Sequence, residues 1–116
     1  MAQTNEWSLY PGRFQPPHQG HFSIITQSLK AGNKVCILMM DASSMDPERN
    51  PFTFEERKNL FQKMFPNEIE SGRIKMIEIP PIKEIVYGRA VGYEIRRIHL
   101  DPALEAISST EIRGRL

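Results

Sequence analysis

The sequence is poor in cysteine, tryptophan and histidine, and it has no long apolar run. A single cysteine excludes an internal disulfide framework. That residue, Cys36, lies in the run Val35-Cys36-Ile37-Leu38-Met39 and reads as a small buried hydrophobe in a reducing cytoplasm. A catalytic thiol needs a basic neighbour and exposure, and the run announces neither. No apolar stretch approaches the roughly 18 residues needed to cross a bilayer. The opening residues 1–6 are polar and hold no signal-peptide core, so a cytoplasmic location is expected. The net charge of +1 provides no bulk field that would draw the chain onto nucleic acid or a membrane. Repeats and low-complexity tracts are missing. What is there is 116 residues, 40% hydrophobic and 25% charged, the balance of one soluble domain over residues 1–116. Folding a chain of this size buries about two-thirds of its unfolded surface.

Periodicity divides the chain into alternating elements. Residues 7–10 read as a first strand. Residues 19–31 read as a helix, with Phe22, Ile25 and Leu29 on one face and Gly32 where a terminating glycine belongs. Residues 34–40 form a continuous apolar run, which suits a strand buried on both faces of a parallel sheet. Residues 41–51 read as a loop. Residues 53–65 read as a second helix, opened by Thr53 and Glu56 as a capping box and buried through Leu60, Phe61, Met64 and Phe65. Pro66-Asn67 ends it. Residues 74–79 suit a third strand, residues 84–87 and 94–100 two more, and residues 109–116 a final short helix. Strands alternating with helices imply α/β architecture: a single Rossmann-like, doubly wound parallel sheet with right-handed crossovers, in a compact version. Ligands in such sheets bind beyond the carboxyl ends of the strands.

The segment Tyr10-Pro11-Gly12-Arg13-Phe14-Gln15-Pro16-Pro17-His18-Gln19-Gly20-His21 falls at that end of the first strand and opens the first helix. A helix N-terminus carries unpaired N–H groups and the positive end of the dipole, which attract phosphate. Two imidazoles there add donors that follow charge as it builds on a phosphoryl group. Gly20 removes a side chain where a nucleotide comes close to the backbone. Arg13 offers a rigid fork matched to phosphate oxygens. No third and fourth ligand accompanies His18 and His21, so a zinc site is not expected.

Near the other end, Ala106-Ile107-Ser108-Ser109-Thr110-Glu111-Ile112-Arg113 sets small hydroxyl residues at a helix start, with Arg113 one turn in. Alone, the segment is equally an ordinary cap. In Asn50-Pro51-Phe52-Thr53-Phe54-Glu55-Glu56-Arg57 the capping box needs no ligand, and Arg57 reads as a surface charge. Arg89 and Tyr93 flank a turn. His99 reads as structural or surface.

His18-Gln19-Gly20-His21 resembles the HxGH motif of the nucleotidyltransferase superfamily. The prefix Gly12-Arg13-Phe14-Gln15-Pro16 and the segment 50–57 resemble its archaeal-type nicotinamide mononucleotide (NMN) adenylyltransferases. The run 107–113 is similar to the ISSTxIR element that closes over the β- and γ-phosphates in that superfamily. The resemblance implies transfer of a nucleoside monophosphate, AMP from ATP above all, to a small phosphorylated acceptor such as NMN. A phosphate of the acceptor attacks the α-phosphorus and pyrophosphate leaves, with no covalent enzyme intermediate. It further implies His18, His21 and Arg113 as catalytic residues, and Mg²⁺ carried by the triphosphate and water. Tyr10, Pro11, Gly12, Arg13, Phe14, Gln15, Gly20, Ile107, Ser108, Ser109 and Thr110 are the implied nucleotide-binding residues, with Arg57 and Arg89 toward the acceptor. Two alternatives stand beside this: a cytidylyltransferase using CTP and a sugar or alcohol phosphate, and a non-catalytic nucleotide sensor. Arg13 and Gln15 favour adenylyl transfer, because cytidylyltransferases usually carry Gly-Thr-Phe-Asp there. Between Ile79 and Ser108 the chain is shorter than those archaeal enzymes and has no Trp-Val-Gly-His-type segment, which helps hold nicotinamide in them. Partners are therefore the nucleotide and the acceptor, with no nucleic acid and no membrane. A homo-oligomer is one expected state, since small chains gain core by association.

Overall fold

The computed structural model describes residues 6–88 and 94–106. The elements run β1 (Trp7–Gly12), α1 (Gln19–Lys30), β2 (Lys34–Met40), α2 (Phe54–Met64), α3 (Pro66–Glu70), β3 (Ile74–Ile79) and α4 (Pro102–Glu105). The three strands form one parallel sheet in the order β1-β2-β3, with Tyr10 opposite Ile37 and Ile37 opposite Met76. This is the α/β arrangement that the alternation of elements implies.

Local signals explain where the elements stop. Gly32, at φ +88°, ends α1: its N–H donates to Leu29 O and the Asn33 N–H reaches back to Ser28 O. That pair of bonds is the Schellman motif, and glycine takes the left-handed backbone it needs without strain. Arg73 Nη2 adds a donor to Leu29 O at 2.8 Å. Thr53 caps α2: its hydroxyl accepts the Glu56 N–H at 3.1 Å, and Glu56 Oε1 accepts the Thr53 N–H at 3.0 Å. Pro66 does more than end that helix, because it stands in the first turn of α3, where its missing N–H costs nothing.

The core lies between one sheet face and α1 with α2. Ile25 of α1, Phe61 of α2 and alternate residues of the strands (Val35, Ile37, Met39 and Ile74) pack together with Phe14 and Phe65. Phe22 meets Phe61 and Phe65 edge-on, at ring-centre distances of 5.8 and 6.0 Å. The buried stripe of α2 differs from the expected one. Met64 is 46% exposed, and Arg57 takes a fully interior place one turn before Phe61. Cys36 is buried, and burial raises its thiol pKa against the opposing pull of Lys75, which agrees with an inert cysteine.

Two expected strands do not form. Residues 84–87 and 94–100 carry no regular structure, and Ile85, Val86 and Ile95 are mostly exposed. A strand is stable only against a neighbour, and β1 and β3 take none beyond β2 among the described residues. The expected final helix at 109–116 lies outside the described residues. Among those described, no helix is long and apolar enough to cross a membrane.

Candidate active site

The parallel strands all point one way, so β1, ending at Gly12 opposite Met39, and β2, ending at Met40, finish at the same carboxyl end of the sheet. The loop after Gly12 leads into α1 there. Phe14 sits in this loop at φ +51°, a left-handed backbone that costs a non-glycine residue of order 1 kcal/mol. The inversion sends its ring inward, where it is 2% exposed and meets Tyr10, His21 and Phe61 edge-on at 5.3, 4.8 and 5.2 Å. Gly12 is required beneath it, since a Cβ at that position would come within 2.8 Å of the Phe14 ring.

His18 is the N-cap of α1. Its Nδ1 accepts the Gly20 N–H, and its own N–H donates to His21 Nδ1, both at 3.1 Å. The two imidazoles thus form a reciprocal cap of the kind usually built from a hydroxyl and a carboxylate. They stack at 3.8 Å with 29° between planes. With each Nδ1 serving as acceptor, a neutral ring must hold its proton on Nε2. Burial lowers the pKa of both. His21, against Phe14 and Tyr10 and with His18 alongside, falls to about 3. At neutral pH the pair therefore presents two Nε2–H donors side by side without a charge of its own. No acidic side chain stands in the first turn of α1, so the positive end of its dipole is left for a ligand.

The depressed pKa values have a consequence for stability. Between the unfolded value near 6.5 and the folded value of about 3, the unfolded chain binds a proton at His21 that the folded chain refuses. Stability is therefore expected to fall as pH drops through that window, and His18 pulls the same way. Urea midpoints between pH 7 and pH 4 measure the slope. It should be visibly shallower in His21→Asn, and equal slopes would contradict the neutral buried imidazole.

The other residues of the N-terminal segment divide by burial. Arg13 is exposed, while Tyr10 and Pro11 are half-buried at the end of β1. Burial pushes the Tyr10 phenol up to about 12, so it stays protonated beside the histidines. Gln15 is 1% exposed, and its amide pairs with the backbone of Phe52, donating to the carbonyl at 2.9 Å and accepting the N–H at 2.8 Å. Arg57 is equally buried: one Nη1 donates to Arg13 O and Met40 O, both at 2.8 Å, and Nε donates to Thr53 O at 3.2 Å. The side chains of Phe14, Gln15 and Arg57 are thus occupied inside the fold. Pattern alone gave no signal of this, because a buried arginine or glutamine is spelled like a surface one. Asn50, which opens the segment 50–57, is 9% exposed.

The C-terminal part of the described chain approaches the histidines. Leu104 O of α4 lies 3.4 Å from where a Cβ on Gly20 would sit, and that Cβ would stand 3.0 Å from His18 Cε1. Gly20→Ala should therefore displace the His18 ring more than it disturbs the helix, which favours alanine intrinsically. A roughly tenfold fall in turnover with little change in melting temperature is expected, and unchanged kinetics would remove Gly20 from the site. Ile107, Ser108, Ser109, Thr110 and Arg113 follow α4 in the sequence. Those residues and Arg89 lie outside the described residues. His99 is exposed.

Comparison with known proteins agrees with this picture. The profile of the cytidylyltransferase-like family matches residues 9–79. The chain belongs to that family. It is 36% identical over 75 residues to a nicotinamide-nucleotide adenylyltransferase of Saccharolobus solfataricus, covering 64% of this chain and 44% of the relative. With the same enzyme of Methanococcus aeolicus it shares 31% over 132 residues, covering 94% and 76%. A bifunctional NMN adenylyltransferase/ADP ribose pyrophosphatase from Francisella tularensis, solved with AMP and a manganese ion, superposes with a TM-score of 0.57 at 26% identity. That match covers 66% of this chain and 23% of the other. The chain thus spans under half the length of the Saccharolobus relative. The Methanococcus alignment runs over 132 positions against a chain of 116, so that relative carries an internal stretch missing here.

Proposed function

We propose that this chain transfers AMP from ATP to a small phosphorylated acceptor, with nicotinamide mononucleotide as the acceptor. The observation that carries the reading is the stacked pair of neutral imidazoles at the N-terminus of α1, each with its Nδ1 used as an acceptor within the turn and its proton on Nε2. The names of the relatives support the acceptor.

In the proposed reaction an oxygen of the acceptor phosphate bonds to the α-phosphorus, and the bond from that phosphorus to the bridging oxygen of the β-phosphate breaks. Pyrophosphate departs with the electron pair. No proton needs to move onto a side chain, so the site has to position and to stabilise charge. His18 and His21 donate to oxygens of the α- and β-phosphates. Uncharged donors suit this role, since they hold the triphosphate without the tight ground-state pairing of an imidazolium. Arg13 reaches the phosphates from the loop, with Pro11, Gly12 and Gly20 lining their approach. Ser108, Ser109, Thr110 and Arg113 take the β- and γ-phosphates, and Arg89 is the acceptor-side candidate. Among the described residues no cluster of three His, Cys, Asp or Glu side chains is placed to hold a metal ion. Mg²⁺ carried by the triphosphate oxygens and water would neutralise charge there.

Pyrophosphate release tests the reading. Wild-type protein with Mg²⁺ is given ATP or CTP, each with NMN, a sugar phosphate or an alcohol phosphate. Release with ATP and NMN is expected. Release only with CTP and a sugar or alcohol phosphate would replace the nucleotide and acceptor and keep the chemistry. Tight ATP binding without release from any pair would make the protein a nucleotide sensor.

A further inference from the structure

Arg13 is an exposed side chain on a loop, and its guanidinium bonds to a buried neighbour. Asn50 is almost wholly buried, and its amide is oriented: Nδ2 donates to Asp46 O at 3.0 Å. That bond sets which way the amide faces, and Oδ1 accepts from Arg13 Nη1 at 3.4 Å. The same short segment grips the loop twice more, through the double hydrogen bond of the Gln15 amide with the Phe52 backbone and through Arg57 Nη1 on Arg13 O. Arg57 of α2 thus holds the backbone carbonyl of residue 13, and Asn50 of the loop after β2 holds its guanidinium.

We infer that Asn50 is a positioning residue, whose side-chain carbonyl aims Arg13 at the triphosphate. An amide suits the task. Its carbonyl orients the guanidinium through one bond, and it carries no charge to compete with phosphate for the remaining donors. A long side chain held in its bound geometry loses less freedom on binding, so the gain is in affinity. The inference rests on the nucleotide reading above and adds to it the residue that prepares Arg13.

The test is a double-mutant cycle on ATP binding by isothermal titration, with wild type, Asn50→Ala, Arg13→Ala and the double variant, each first shown to be folded by thermal melting. Asn50→Ala should weaken ATP about fivefold. It should change nothing further in the Arg13→Ala background, because there is then no guanidinium to aim. In steady state the single variant should raise KM for ATP about fivefold with kcat within about twofold. Equal affinity of Asn50→Ala and wild type would overturn the inference. So would the same fivefold loss in both backgrounds, which a general loosening of the loop produces. A wild-type protein that binds no ATP would overturn the nucleotide reading itself, and the inference with it.

Discussion

His18→Asn is expected to lose about a hundredfold or more in turnover while the protein stays folded. The substitution separates the two tasks of this residue. Asparagine is among the best N-cap residues, and its side-chain oxygen can accept the Gly20 N–H that His18 Nδ1 now accepts at 3.1 Å. The cap is kept, and the melting temperature should move little. What goes is the Nε2–H donor, and removing one preorganised donor of developing phosphoryl charge costs about 10²–10³ in rate. His21→Ala should lose at least as much turnover, together with about 1 kcal/mol of stability, since its Nδ1 is the partner of the His18 N–H. Turnover of His18→Asn within a few-fold of wild type would remove the imidazole from the chemistry. Loss of turnover together with unfolding would mean that the cap alone had been tested, and the melting curve separates the two.

The second large effect concerns Arg57, which acts on stability. Arg57→Ala should destabilise the fold by about 3–5 kcal/mol. From a side chain 1% exposed, its Nη1 satisfies two carbonyls, those of Arg13 and Met40, and its Nε adds a second donor to that of Thr53, which also accepts the Arg57 backbone N–H. A buried acceptor left without a donor costs about 1–3 kcal/mol, and a cavity between α2 and the sheet adds to that. Lysine at this position keeps a charge but cannot reach all three carbonyls from one planar group, so Arg57→Lys should recover only part of the loss. Urea denaturation with the slope held in common gives the difference directly. A change under about 1 kcal/mol would contradict the place assigned to this residue.

How much of this could be read beforehand follows from which residues act locally. β2 and β3 occupy the residues that their apolar patterns predicted, α1 stops at the glycine written after it, and α2 begins at its capping box and stops before Pro66. These signals depend on neighbours a few positions away, which a sequence displays. The histidine pair was legible for the same reason, since three residues separate its members on one turn. The roles of Arg57, Gln15 and Phe14 were not. They depend on contacts 37 to 44 positions apart and on a left-handed backbone at Phe14 that no local rule demands. The absent strands have a third cause. Residues 84–87 and 94–100 have strand-like composition, but strand formation is decided by a partner, and this part of the chain lies beyond the family match at residues 9–79. A relative with additional internal length has more chain from which to supply such a partner.

That shortening makes the acceptor the sharpest question. The measurement that bears most directly on it follows label from [α-³²P]ATP in the presence of Mg²⁺ and NMN, with His18→Asn protein as the control. Label should appear in a dinucleotide of AMP joined to NMN, at a rate about a hundredfold lower in the control. Label that stays in ATP with wild-type protein, under conditions where ATP is bound, would contradict adenylyl transfer to this acceptor.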